Sequence, residues 1–208
     1  MILDDAFTRL PLVAILRGVK PDEVEAIGEA LVEAGFALIE VPMNSPEPLS
    51  SIGRLAKRLG DRAVVGAGTV LRPAIVDQVR DAGGQLIISP NMNPAVIGRA
   101  AALGFPALPG VSTPTEAFAA LDAGAVALKL FPAEGSSPTI LKAMRAVLPP
   151  GTRVLPVGGV APETMGPWIK AGADGFGLGS ALYKPGQDAA TVGAAARAFT
   201  AAWADAQA

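Results

Sequence analysis

Lys129 stands in the middle of Ala125-Val-Ala-Leu-Lys-Leu-Phe-Pro132, with no carboxylate within four residues on either side. Counting by twos puts Ala125, Ala127 and Lys129 on one face of an extended run. An ammonium buried among such neighbours is costly, so its pKa should fall toward the range where a free amine exists. A desolvated neutral lysine attacks a ketone and forms a Schiff base. The same residue could instead snorkel to a rim or pair with an acid. Glu40 ends Leu38-Ile-Glu, where the same parity turns Leu38 and Glu40 inward, and an acid there serves as a general base, directly or through water. Arg17, in Ala14-Ile-Leu-Arg-Gly18, offers a two-pronged fork to a carboxylate. Ion pairing of Glu40 with Lys129 or Arg17 is the plainer alternative for all three.

Two glycine turns add an anion-binding signature. Gly158 and Gly159 let backbone N–H groups approach an anion, and Gly179-Ser180 adds a hydroxyl and the start of a short helix. Tight corners explain such glycines equally when they are taken alone. Gly175-x-Gly-x-Gly179 is no dinucleotide fingerprint, because its last glycine comes too early and no suitable acid follows. In Gly66-Ala-Gly-Thr69 the chain narrows enough to admit a small substrate, with the Thr69 hydroxyl as a donor; packing is the alternative.

The composition removes competing chemistries. The 208 residues include no cysteine and no histidine, which excludes a disulfide framework, a thiolate nucleophile, a Ser-His-Asp triad and a His-bound zinc. With 17 Lys+Arg against 19 Asp+Glu, no basic stripe suits nucleic acid or an anionic membrane. No apolar run reaches membrane-spanning length and the first ten residues do not form a signal peptide, so a cytoplasmic protein is expected. Only 17% of residues are charged, which favours an oligomer. Trp168, Trp203 and the five methionines read as core or interface.

These residues must be held by repeating elements, and the chain's punctuation supplies them. Seven segments open with proline and close with glycine: 21–35, 46–60, 73–83, 94–104, 114–124, 138–151 and 162–172. Each has a helical interior, with proline suited to the first turn and glycine to the end. An eighth helix is predicted over 188–206. Between them lie apolar runs at 12–16, 37–41, 63–66, 86–89, 106–108, 125–130, 153–157 and 175–178. They are continuously hydrophobic, as strands buried on both faces are. Eight alternating units predict a single-domain parallel (β/α)8 TIM barrel, of class α/β, over residues 1–208. An open doubly wound sheet is the competitor. In the barrel, every candidate collects at the carboxyl ends of the strands.

Leu38-Ile-Glu40, Gly66-Ala-Gly-Thr-Val70, Ser89-Pro-Asn91, Leu128-Lys-Leu-Phe-Pro132, Val157-Gly-Gly-Val160 and Gly177-Leu-Gly-Ser180 resemble the class I aldolases of 2-keto-3-deoxy-6-phosphosugar acids. The likeness spans nearly the whole chain, with the motifs in the same order. It implies that Lys129 carries the Schiff base and Glu40 donates and accepts protons. Arg17, Thr69 and Pro90 would shape the pyruvate end, and Phe131 would pack beside the lysine. Gly158, Gly159, Gly179 and Ser180 would hold the 6-phosphate. No cofactor and no metal are implied, and the partners are a phosphorylated keto-deoxy sugar acid, pyruvate and two further copies in a homotrimer. Leu12 to Gly18, Glu40 to Pro46 and Val157 match the galactonate branch. Gluconate-specific relatives commonly carry threonine at Val157 and arginine near Asn44. A gluconate substrate, or a phosphosugar isomerase or synthase on the same barrel, remains the alternative.

Overall fold

The computed structural model describes residues 1–207. Ala208, the last residue of the expected domain, lies outside the described residues. The chain opens with α1 (Leu3–Arg9) and β1 (Leu12–Ile15), then alternates through α2 (Val24–Glu33), β2 (Leu38–Pro42), α3 (Pro48–Leu59), β3 (Val64–Gly68), α4 (Pro73–Asp81) and β4 (Ile87–Ile88). The second half runs α5 (Pro94–Ala102), β5 (Ala107–Leu108), β6 (Gly110–Val111), α6 (Pro114–Asp122), β7 (Leu128–Leu130), α7 (Pro138–Arg145), β8 (Val154–Pro156), α8 (Met165–Lys170), β9 (Phe176–Leu178) and α9 (Ala189–Gln207). No described helix is long and apolar enough to cross a membrane.

Local chemistry explains the boundaries. The Thr113 hydroxyl accepts the Glu116 N–H while the Glu116 carboxylate accepts the Thr113 N–H, a reciprocal cap at the start of α6. Asn93 and Ser137 cap α5 and α7 one way only, accepting the Ala95 and Ile140 N–H groups, and each is followed by proline. Gly124 ends α6 with φ 101°, a conformation costly to other residues. Three helices differ from the sequence expectation. Segment 138–151 is helical only to Arg145, because Pro149 and Pro150 cannot continue the ladder. In 162–172 the first turn is a 3₁₀ turn, Pro162–Thr164. The third, α1, was not anticipated. Its seven residues carry acids in the first turn and Arg9 in the last, complementing the helix dipole.

All strand pairs are parallel. One sheet runs β5-β4-β3-β2-β1-β9 and the other β6-β7-β8. The split falls at Pro109, which lacks the N–H a ladder needs: β5 lies within the predicted run 106–108, and β6 follows beyond it as a strand the sequence did not predict. A parallel bridge between Val157 and Gly177 links β8 toward β9. The result is a parallel α/β fold with a strongly curled sheet and helices outside it.

The inside of the curl is packed at its amino end. Val13, Leu38, Val64, Leu86, Ala127 and Leu155 meet Ala6 and Phe7 of α1 in one buried cluster. Each fully buried aliphatic side chain here contributes about 1.5–3 kcal/mol. α1 is held across this end by Arg153, whose guanidinium lies 2.7 Å from Asp4 and 4.8 Å from the Phe7 ring centroid.

Candidate active site

Two residues further along the same strands, charge replaces hydrocarbon. Lys129, at the centre of β7, pairs in register with Gly110 on one side and Leu155 on the other. It is 6% exposed. Its Nζ stands 4.8 Å from the Phe131 ring centroid, a cation–π contact. Burial pushes the Lys129 ammonium below its ordinary pKa, and Arg17 adds to that effect while the Glu40 charge opposes it. Glu40, on β2 opposite Ile15 and Gly66, is 1% exposed. Burial raises its carboxyl above the usual range, against the pull of Lys129 and Arg17. Among the described residues neither Lys129 nor Glu40 forms an ion pair, so the simple pairing alternative does not hold.

Glu40 Oε2 is buried without a hydrogen-bond partner among the described residues. An unpaired buried carboxylate oxygen is costly, and such an atom points to a function. Its seat is made by Gly68, where a Cβ would come within 1.9 Å of Oε2. Gly68 therefore clears space for the acid, while Gly66 clears it for the Leu86 carbonyl, which a Cβ there would approach within 2.1 Å. Glu40 and Lys129 share a chamber of about 10 Å³ with Ile15, Val157, Gly177 and four further apolar residues. That is close to the space one water molecule needs.

Above the chamber opens a cleft of about 360 Å³ lined by Arg17, Lys129, Phe131, Val157, Gly158, Gly159, Gly179 and Ser180 among others. Arg17 follows β1 and donates from Nη1 to Asn44 Oδ1 at 2.9 Å. The neighbouring Gly18 N–H donates to Ser45 Oγ at 2.9 Å. The loop after β2 thus aims the arginine, and Glu40 is not its partner. Gly158 and Gly159 take φ 115° and 64°. The N–H groups of Gly159, Gly179 and Ser180 donate to no acceptor among the described residues. The segment after Gly179 is a single turn closed by Leu182 and Tyr183 N–H groups on the Gly179 carbonyl. It is not the short helix expected there, so what it offers an anion is local N–H groups and no helix terminus.

Eight of the ten predicted site residues line one or both of these cavities. Thr69 and Pro90 line neither. Thr69 follows β3 at φ 57°, half-buried. Pro90 follows β4, its carbonyl against Gly110, where a Cβ would approach within 2.2 Å. Four residues were not foreseen: Asn44 and Ser45, which hold the arginine loop, and Glu134 and Lys184, which line the cleft. Their signal was position alone, since Glu134 follows β7 and Lys184 follows the Gly179-Ser180 turn.

The chain is similar to known proteins along nearly its whole length. The family model "KDPG and KHG aldolase" matches residues 3–194. The chain is 48% identical over 199 residues to 2-dehydro-3-deoxy-6-phosphogalactonate aldolase of Escherichia coli strain K12, covering 96% of this chain and 97% of that protein. It is 49% identical over 193 residues to a probable 2-dehydro-3-deoxy-6-phosphogalactonate aldolase of Rhizobium meliloti strain 1021, covering 93% of this chain and 91% of that one. A solved structure described as native KDPGal superposes with a TM-score of 0.94 at 48% identity, covering 96% of this chain and 97% of that one. With a buried lysine and a buried acid at the strand ends and a family model spanning nearly its length, this chain belongs to the KDPG and KHG aldolase family.

Proposed function

We propose that this chain is a closed (β/α)8 barrel, one domain over residues 1–208, acting in the cytoplasm as a class I aldolase. Its reaction is the reversible cleavage of 2-dehydro-3-deoxy-6-phospho-D-galactonate to pyruvate and D-glyceraldehyde 3-phosphate. The observation that carries the reading is the pair of buried, oppositely shifted groups, Lys129 and Glu40, around one chamber. Closure of the barrel is supported by the Val157–Gly177 bridge and by the continuity of β5 into β6.

The steps follow from these groups. The Lys129 amine adds to the C2 ketone, and loss of water gives a protonated imine, an electron sink next to C3. Glu40, through a water in the chamber, takes the proton of the C4 hydroxyl. The C3–C4 bond breaks, its electrons pass into the iminium to give an enamine, and C4 leaves as the aldehyde of glyceraldehyde 3-phosphate. The proton returns to C3, and hydrolysis releases pyruvate and the free amine. One group must take up a proton and later return it, and Glu40, whose carboxyl burial raises above its ordinary range, supplies that exchange. Arg17 takes the substrate carboxylate, with Thr69 and Pro90 shaping that end of the site. Gly158, Gly159, Gly179 and Ser180 hold the 6-phosphate, a role supported by their shared cleft.

The galactonate configuration is supported by the names of the relatives at 48–49% identity and by Val157, which lines both chamber and cleft. A homotrimer is supported by the resemblance and by exposed Phe118, Val126 and Leu71. The test is pyruvate release from the galactonate substrate, its C4-epimeric gluconate counterpart and the galactonate lacking phosphate. Fastest cleavage of the phosphorylated galactonate is expected. Equal rates with the gluconate would remove the stereochemical assignment, and equal rates without phosphate would remove the phosphate cup.

A further inference from the structure

The glycine pair after β8 does not face open cleft. A Cβ added to Gly158 would meet Glu134 Oε2 at 2.0 Å, and one added to Gly159 would meet Glu134 Cγ at 2.7 Å. The carboxylate of Glu134 therefore lies directly on the two glycines. It is placed there by backbone geometry. The Ala133 N–H donates to the Val157 carbonyl at 2.9 Å, and the 3₁₀ turn Ala133–Gly135 follows at once. Glu134 lines the same cleft as Ser180, Arg17 and Lys184, yet it forms no ion pair with either cation. A phosphate cup that carries its own carboxylate is an unusual use of charge, because like charges at contact distance repel.

We propose that Glu134 is a resident anion of the phosphate cup, one that opposes the incoming phosphate and weakens retention of phosphorylated ligands. This rests on the reading of Gly158, Gly159, Gly179 and Ser180 as the phosphate site. Lys184 draws the phosphorylated end into the cleft, and Glu134 limits how firmly it stays. The cleft then favours release of the phosphorylated aldehyde at the expense of ground-state affinity, which suits a site that must part with a phosphorylated product each turnover.

The test is inhibition of cleavage by inorganic phosphate in the unmodified enzyme and in Glu134→Gln, Glu134→Asp and Ser180→Ala. Glu134→Gln keeps the shape and removes the charge, so the inhibition constant should fall by about three- to tenfold. The difference should shrink as salt is raised toward roughly 0.5 M, since the carboxylate is exposed and screened. Glu134→Asp keeps the charge and should stay near the unmodified enzyme, which separates charge from packing. The preference for phosphorylated over unphosphorylated substrate should rise in Glu134→Gln by a similar factor. An unchanged or raised inhibition constant in Glu134→Gln, with Ser180→Ala still weakening phosphate, overturns the role of Glu134 and leaves the cup intact. If Ser180→Ala and Glu134→Gln both leave inhibition unchanged, the cup reading fails and this inference falls with it.

Discussion

The two ends of the curled sheet are built from the same strands and differ in what a two-residue step brings inward. At the amino end Leu38 and Ala127 join Val13, Val64, Leu86 and Leu155 beneath Phe7 of α1. One step on, Leu38 gives way to Glu40 and Ala127 to Lys129, both still buried. The first layer is sealed hydrocarbon and gains stability from transfer out of water. The second layer gives some of that stability up, since each charge loses hydration and Glu40 Oε2 gains no partner. The same burial that costs stability moves both groups toward neutrality. The lower layer thus serves as the rigid, dry base from which the upper layer gets its chemistry.

The sharpest way to break this contrast is to carry the lower layer's chemistry upward. Lys129→Met should reduce cleavage by at least about 10³-fold while the protein stays folded, because methionine suits a buried position. Retention of more than a few per cent of turnover would contradict a covalent lysine. Glu40→Gln should slow turnover by roughly 10²–10⁴-fold, measured as pyruvate release. Gly68→Ala leaves both charged groups present but drives a methyl into the space of Glu40 Oε2. Turnover should fall by about 10²-fold through displacement of the acid, and an unchanged rate would remove Gly68 as its seat.

Smaller effects sharpen the comparison. Asn44→Ala frees the Arg17 guanidinium from its 2.9 Å acceptor and should raise KM by about three- to tenfold with little change in kcat. A change confined to kcat would place Asn44 elsewhere in the reaction. The stability of the upper layer should also depend on pH. Glu40 has a raised folded-state pKa, so the folded protein holds that proton more tightly than the unfolded chain. Its contribution is fully present below the unfolded value near 4.5 and is lost as pH rises through the folded one. Melting of the unmodified protein relative to Glu40→Gln should therefore worsen by a few degrees between pH 5 and pH 8. A constant difference would mean that Glu40 is not desolvated.

Much of this was legible in the sequence, for physical reasons that differ by residue. Lys129 and Glu40 stood out because a charge inside a continuously apolar run has few structural explanations, and strand parity fixes which way it faces. The proline–glycine punctuation marked seven helices because capping is local chemistry. α1 was not legible, since only Ala6 and Phe7 of its seven residues are buried and its partners come from six different strands. The role of Gly68 depends on a side chain 28 positions earlier in the chain, and Glu134 reaches Gly158 from across a different loop. Neither contact has a sequence pattern. Thr69 was read from the glycine run before it and Pro90 only from resemblance to a family, and both sit at the strand ends outside the lining of the two cavities.

The central claim is that Lys129 is an uncharged nucleophile at the strand ends. It is tested most directly by incubating the folded protein with pyruvate and borohydride, followed by peptide mapping in a mass spectrometer. The account predicts one reduced pyruvyl adduct, on the peptide carrying Lys129 and absent from Lys129→Met. A folded protein that forms no adduct, or forms it on another lysine, would contradict it.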